Sequence, residues 1–325
     1  MDKTGIEWTD ATWNPTRGCR RISPGCVNCY AEKVAARFCG EGLPYEGLIK
    51  LGRWNGEARF APDKLDLPLR WRKSRRIFVN SMSDLFYDGF SDEQLDQVLA
   101  VMLLAPQHTF QVLTKRAERM ARYLSDPGLY MRILEGPARE LRQRMPRLME
   151  IGISNPAAVP AKWIWWGVSV EDQQRADERI PHLLRTPAAV RFISYEPALG
   201  PVDFNLRPMR SGCGPKPIKT TGIDWLIVGG ESGTGARPFD IAWAHAAVAQ
   251  CKAAGVPVFV KQLGANPVGL RDDVCDACSW GLVVPRKQHG LDCPGGPVLH
   301  DPKGGDMAEW PADLRVREWP RGVTP

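Results

Sequence analysis

Residues 224–232 read DWLIVGGES, an apolar β-prone run that stops abruptly in glycine and polar side chains. The same form recurs as RIFVNSMSD (76–84), TFQVLTK (109–115), IWWGVSVE (164–171), VRFISYE (190–196) and VPVFVKQ (256–262). Runs that are apolar at nearly every position, rather than at alternate ones, mark strands buried on both faces, as in parallel sheets. Segments 91–104, 117–124, 172–184 and 241–254 lie between them and have helical spacing. A first strand over Ile6–Trp13 completes seven candidates in βα alternation. The pattern predicts a right-handed parallel α/β architecture, a full or partial (β/α) barrel over residues 1–265. Beyond that the pattern stops, and 266–325 reads as a short irregular C-terminal extension. Residues 204–222, rich in Gly, Pro and Lys, read as a surface loop.

The chain has 325 residues, 43% of them hydrophobic, which is enough for a sizeable core. The formal charge of +6 is modest, but the basic residues are bunched. One group is Arg70, Arg72, Lys73, Arg75 and Arg76; a longer one runs from Lys115 to Arg147. Such runs bind phosphate backbones or anionic cofactors, or else form solvated helix faces. Nine cysteines, an odd number, behind a polar N-terminus argue against a disulfide framework. A cytoplasmic, reducing location is expected. No apolar run is long enough for a membrane span. Trp163, Trp165 and Trp166 lie in apolar runs and read as core.

Between the first two strands lies TWNPTRGCRRISPGCVNCY (12–30), with Cys19, Cys26 and Cys29 spaced C-x6-C-x2-C. Three thiols in a tight loop point to a metal site, and the loop 18–30 is its expected seat. Tyr30, Val34 and Phe38 have the spacing of one helix face, so the last two cysteines are expected at or near a helix start, where the dipole favours thiolate. Closed zinc and [4Fe–4S] sites take four protein ligands, so three leave one position open. In the tail, Cys275, Cys278 and Cys293 suggest a second metal site by spacing alone. Cys39, Cys213 and Cys251 read as incidental or buried thiols.

In parallel α/β folds the active site lies at the carboxyl ends of the strands. Those ends carry Asn80, Ser83 and Asp84; Lys115; Ser169; Tyr195 and Glu196; Gly229, Gly230 and Glu231; and Lys261. The cysteine loop follows the first strand and is expected at the same mouth. A three-cysteine [4Fe–4S] cluster with one free iron, on the loop after the first strand of a parallel barrel, is the layout of radical S-adenosylmethionine enzymes. Their usual first gap is three residues; here it is six.

TWNPTRGCRRISPGCVNCYAEKVAARF, RIFVNSMSDLF, FQVLTKRAERM, WWGVSVE, RFISYEPALGP, IDWLIVGGESGTGARP, FVKQLG and KGGDMAEWPADLRVREWP together resemble the phage gene product 37/68 family of three-cysteine-motif, radical-SAM-like proteins. The resemblance implies a barrel of the radical SAM type, cluster ligation by Cys19, Cys26 and Cys29, and S-adenosylmethionine as cofactor. In that superfamily a Gly-Gly-Glu segment holds the methionine amino group. Gly229, Gly230 and Glu231 have that composition, after a late strand rather than the second. Asp84 is a second candidate for the ammonium, with Asn80, Ser83 and Ser169 as further cofactor contacts. Lys115 and Lys261 are candidates for a carboxylate, Glu196 for a ribose or substrate hydroxyl, and Tyr195 for hydrogen donation. The expected reaction is reductive cleavage to a 5′-deoxyadenosyl radical that acts on a nucleic acid or nucleotide. A flavodoxin- or ferredoxin-type electron donor and a partner protein are the expected company. Two rivals stay open: a non-enzymatic, metal-containing nucleic-acid-binding protein, and a zinc hydrolase.

Overall fold

The structure is a computed structural model and describes residues 4–156, 158–206, 222–269 and 299–320. Seven strands form one sheet: β1 (Ala11–Trp13), β2 (Arg76–Val79), β3 (Thr109–Thr114), β4 (Ile164–Ser169), β5 (Val190–Tyr195), β6 (Trp225–Gly229) and β7 (Val258–Gln262). They pair in chain order, all parallel, and β1 does not pair with β7. This is a parallel α/β fold with an open, partial barrel. Its main helices are α1 (Tyr30–Ala36), α2 (Asp92–Leu103), α3 (Ala117–Leu124), α4 (Leu129–Glu135), α5 (Pro137–Arg144), α6 (Gln173–Arg185) and α7 (Ile241–Ala254).

Strand side chains alternate between two separate cores, as a period of two requires. Ile77, Val79, Phe110, Val112, Trp166, Val168, Ile193, Leu226, Val228 and Val260 pack with the helices. Phe78, Trp165, Phe192, Trp225, Ile227 and Phe259 face the other way and pack on one another and on Trp8. The sheet is strongly curled. In a flat sheet β2 and β6 would stand roughly 19 Å apart. Yet the Trp8 ring lies 4.7 Å from Phe78 on β2 and 6.3 Å from Trp225 on β6. Gly167 makes room for this filling: a Cβ there would lie 2.5 Å from the Phe192 ring. Trp8 and Trp165 both meet Trp225 edge-on, at 82° and 81°. Their indole N–H groups have no conventional acceptor among the described residues. Edge-on packing offers an N–H the negative face of a neighbouring ring instead.

Several elements differ from the sequence expectation. The first strand is only Ala11–Trp13, because the chain turns at Thr9, whose N–H bonds Ile6 O, and sends Trp8 across the barrel floor. Pro24–Cys26 is a single 3₁₀ turn, so Cys26 precedes the helix and Cys29 is the N-cap of α1. The buried face of α1 is Ala31, Glu32 and Ala35, while Tyr30 and Phe38 are exposed. The described part of the C-terminal extension, 299–320, belongs to the barrel. Val260 N–H donates to Val316 O and Glu318 N–H to Val258 O. Trp310 is buried in the helix-side core, and Trp319 stacks on Trp225 at 5.0 Å.

The basic runs are largely engaged within the fold. Arg76 pairs with Asp10 at 2.8 Å and lies over the Trp319 ring. Arg119 donates to the carbonyls of Tyr87 and Phe90, and Arg132 bridges Asp96 and Asp126. Arg142 and Arg147 cap the Ile151 and Leu69 carbonyls. Arg72, Lys73, Arg122, Arg139 and Arg144 remain exposed. Among the described residues no helix is long and apolar enough to cross a membrane.

Candidate functional site at the carboxyl mouth of the barrel

The inner face of the barrel changes character along its axis. Below is the aromatic floor. Above it, by strand alternation, come Lys115, Ser169, Glu171, Ser194, Glu196, Gly229 and Lys261 at the carboxyl ends. The cysteine loop lies over this mouth, and side chains from three strand ends hold it. After β3, Arg116 donates to Arg20 O at 2.9 Å and sets its Nη1 3.8 Å from Cys19 Sγ. After β4, Glu171 Oε1 accepts from Ser23 Oγ at 2.6 Å. After β6, Glu231 Oε2 accepts from Asn28 Nδ2 at 2.8 Å.

Glycine is required where the loop is tightest. Gly18 has φ of +89°, and a Cβ there would collide with the Glu57 carbonyl. Gly25 lies flat on Glu171, and a Cβ would strike its carboxylate. Ser83 fastens the entrance of the loop: its Oγ shares a hydrogen bond of 2.7 Å with Thr16 Oγ1 and donates to Thr16 O. Buried Glu32 fastens the exit, pairing with Arg21 and accepting from Trp54 N–H at 3.0 Å.

Glu171, whose side chain is fully buried, is the hub of the mouth. Lys115 Nζ lies 2.5 Å from Oε1 and Arg179 Nη1 2.9 Å from Oε2. Burial pushes its pKa up, but Lys115 and Arg179 outweigh that and hold the carboxyl below its ordinary value. A second pair, Lys261–Glu196 at 2.5 Å, retains some solvent contact on both sides. Arg237 pairs with Glu231 at 2.5 Å.

This geometry corrects several site expectations. Asp84 has no acceptor position left for an ammonium. Oδ1 takes Phe86 N–H and the Thr114 hydroxyl; Oδ2 takes Lys115 N–H and Arg116 Nη1. Its role is to aim Arg116 at Cys19. Ser83 is committed to Thr16. Glu231 is committed to Arg237 and Asn28. Gly230 permits close backbone approach, since a Cβ would lie 2.6 Å from Leu263 O. Tyr195 points into the helix-side core against Phe204, its hydroxyl donating to Gly200 O, and does not reach the mouth. Asn80 is buried with φ of +61°, and its amide finds no partner among the described residues. Ser169 and Gly229 do face the mouth, and Lys115 and Lys261 arrive there already paired with glutamates. Cys275, Cys278, Cys293 and Cys213 lie outside the described residues. Cys251 is buried core, and the Cys39 thiol lies 3.2 Å from Ala36 O. The residues missed beforehand are Ser23, Asn28, Arg116, Glu171 as a hub, and Arg179. Their signal is weak, because each acts through a partner distant in sequence.

Burial pushes the Cys19 thiol up to about 12, against the pull of Arg116; Asp84, Cys29 and Cys26 add to the rise. Burial also raises Cys29, although the Glu32 and Ala31 N–H groups at the start of α1 oppose it. The dipole of a seven-residue helix therefore does not overcome desolvation. The three thiols are near enough to influence one another's ionisation. Among the described residues, however, no three Cys, His, Asp or Glu side chains are set to hold one metal ion. A single ion needs thiolates about 2.3 Å from a common point. An iron–sulfur cube takes its cysteines on separate irons and accepts a wider spread. Three thiols on one loop are the donor type that an iron–sulfur cluster takes, and Arg116 and Arg21 lie near them.

A parallel α/β half-barrel with a clamped three-cysteine loop across its carboxyl mouth is the class that fold and site define. Residues 3–280 match the family described as "Protein of unknown function (DUF5131)", and the chain belongs to that family. No curated protein and no solved structure matches it.

Proposed function

We propose that the chain is a [4Fe–4S]-binding enzyme of the radical S-adenosylmethionine type, with Cys19, Cys26 and Cys29 as ligands. The resemblance to phage gene product 37/68 proteins points the same way. The observation that carries the reading is the cysteine loop, tied across the mouth by Arg116, Glu171 and Glu231 from three strand ends. A loop serving only its own stability has no need of buried charge from the opposite wall. Bound there, the cluster would supply one electron for cleaving S-adenosylmethionine to methionine and a 5′-deoxyadenosyl radical.

The chain's own residues have separate tasks. Arg116 and Arg21 offset thiolate charge at the loop. The Lys261–Glu196 pair, part-exposed at the mouth, can exchange partners with a carboxylate or an ammonium. The aromatic floor keeps water out from below. Exposed cations around the loop, Arg20, Lys33, Arg37, Lys50 and Arg53, favour a nucleic acid or nucleotide as substrate. A flavodoxin- or ferredoxin-type protein is the expected electron donor.

Anaerobically purified protein is expected to carry iron and acid-labile sulfide with a charge-transfer absorption band, and Cys26→Ala to lose most of both. Reduced protein with S-adenosylmethionine should yield 5′-deoxyadenosine. Absence of iron and sulfide from the anaerobic protein overturns the reading.

A further inference from the structure

The segment between the cysteine loop and β2 contains a hairpin that breaks three local rules at once. Ile49–Lys50 and Arg53–Trp54 pair antiparallel around Leu51-Gly52. Both turn residues have positive φ, +51° and +73°, the geometry that favours Asn-Gly. Leucine is a poor choice for it. Leu51 is also 94% exposed, more than any other large apolar side chain described. Beside it Lys50 stands directly opposite Arg53 in the ladder, and both are exposed. Like charges in that register repel. Neither has an acidic partner among the described residues.

The base of the hairpin, by contrast, is well anchored. Ile49 and Trp54 pack on Ala31, Ala35 and Met82 beneath α1. Trp54 N–H donates to Glu32, which also holds Arg21 of the cysteine loop. The tip is therefore presented rigidly, on the same support as the cysteines. An anion placed between Lys50 and Arg53 relieves their repulsion, and an apolar tip between two cations matches a base step between two phosphates.

We propose that this hairpin is a nucleic-acid wedge: Lys50 and Arg53 hold backbone phosphates while Leu51 enters the base stack. This rests on the reading of a nucleic acid as substrate class, but not on the cluster. Two variants separate charge from tip. Leu51→Asn suits the left-handed backbone, so the hairpin should fold at least as well. Lys50→Gln/Arg53→Gln removes the repelling pair.

Binding is read by fluorescence anisotropy over a salt series, with labelled duplex and single-stranded DNA and RNA. Unstacking is read with 2-aminopurine in the same strands. Wild-type protein should bind at least one of these, with affinity falling as salt rises. The double variant should lose about two from the salt slope. Leu51→Asn should keep the slope and lose the 2-aminopurine enhancement. An unchanged slope in the double variant, or unchanged unstacking in Leu51→Asn, overturns the proposal. So does wild-type protein that binds anionic phosphatidylserine vesicles and none of the nucleic acids. Iron and acid-labile sulfide are assayed on the same samples, so a missing cluster and a failed wedge are told apart.

Discussion

Glu171→Gln is expected to lower the unfolding free energy by about 3–5 kcal/mol, measured by urea denaturation. The substitution nearly preserves shape but leaves Lys115 and Arg179 facing each other without a counter-charge, in a site where Glu171 itself has no solvent contact. Ser23 also exchanges a charged acceptor for a neutral one, so the cysteine loop is held less tightly at the end of β4. The wild-type protein carries a matching pH signature. The Glu171 pKa is held below its ordinary 4.5 when folded, so its contribution is complete above that pH. It fades as pH falls through the folded value, because protonation then costs the charge pairing. Glu171→Gln should lack that component of acid sensitivity. An equal loss of stability on acidification in both proteins would show that Glu171 is not the hub.

Trp225→Ala is expected to cost about 3–5 kcal/mol as well, for a different reason. Its ring is fully buried and touches Trp8, Trp165, Phe192, Phe259 and Trp319. Alanine there opens a void that packed rings on five sides cannot collapse to fill. Near-UV circular dichroism should drop sharply, since these indoles sit in one fixed cluster of edge-on and stacked rings, while Trp225→Phe should lose far less. A near-native midpoint for Trp225→Ala would mean that the floor is soft rather than close-packed.

The sheet was legible because every strand but the first is an apolar run ending in polar residues. The same property hid which way each side chain points. VRFISYE has no alternation to read, and Tyr195 turned out to face the helices while Ser194 faces the barrel interior. The cysteine loop was legible from its spacing and its place after β1, but its fastenings were not. Ser23 and Glu171 stand 148 residues apart, and Asn28 and Glu231 203 apart. Local pattern carries no trace of such pairs. The arginine runs misled for a related reason. Arg119, Arg142 and Arg147 look like a basic surface in sequence, yet their long stems bring the guanidinium groups onto carbonyl oxygens in the fold. The described tail residues, 299–320, lack βα periodicity, so the two rings they contribute, Trp310 and Trp319, and their short stretch of backbone pairing left no trace in the pattern.

The barrel floor also bears on how the chain folds. Its rings come from Trp8, Trp225 and Trp319, which span nearly the whole sequence. Neighbouring βα units can assemble from contacts close in sequence. The floor cannot, because closing a loop of that length comes before any reward from the contact. Sheet and helices are therefore expected to form before the aromatic plug is complete, with Trp319 docking after them.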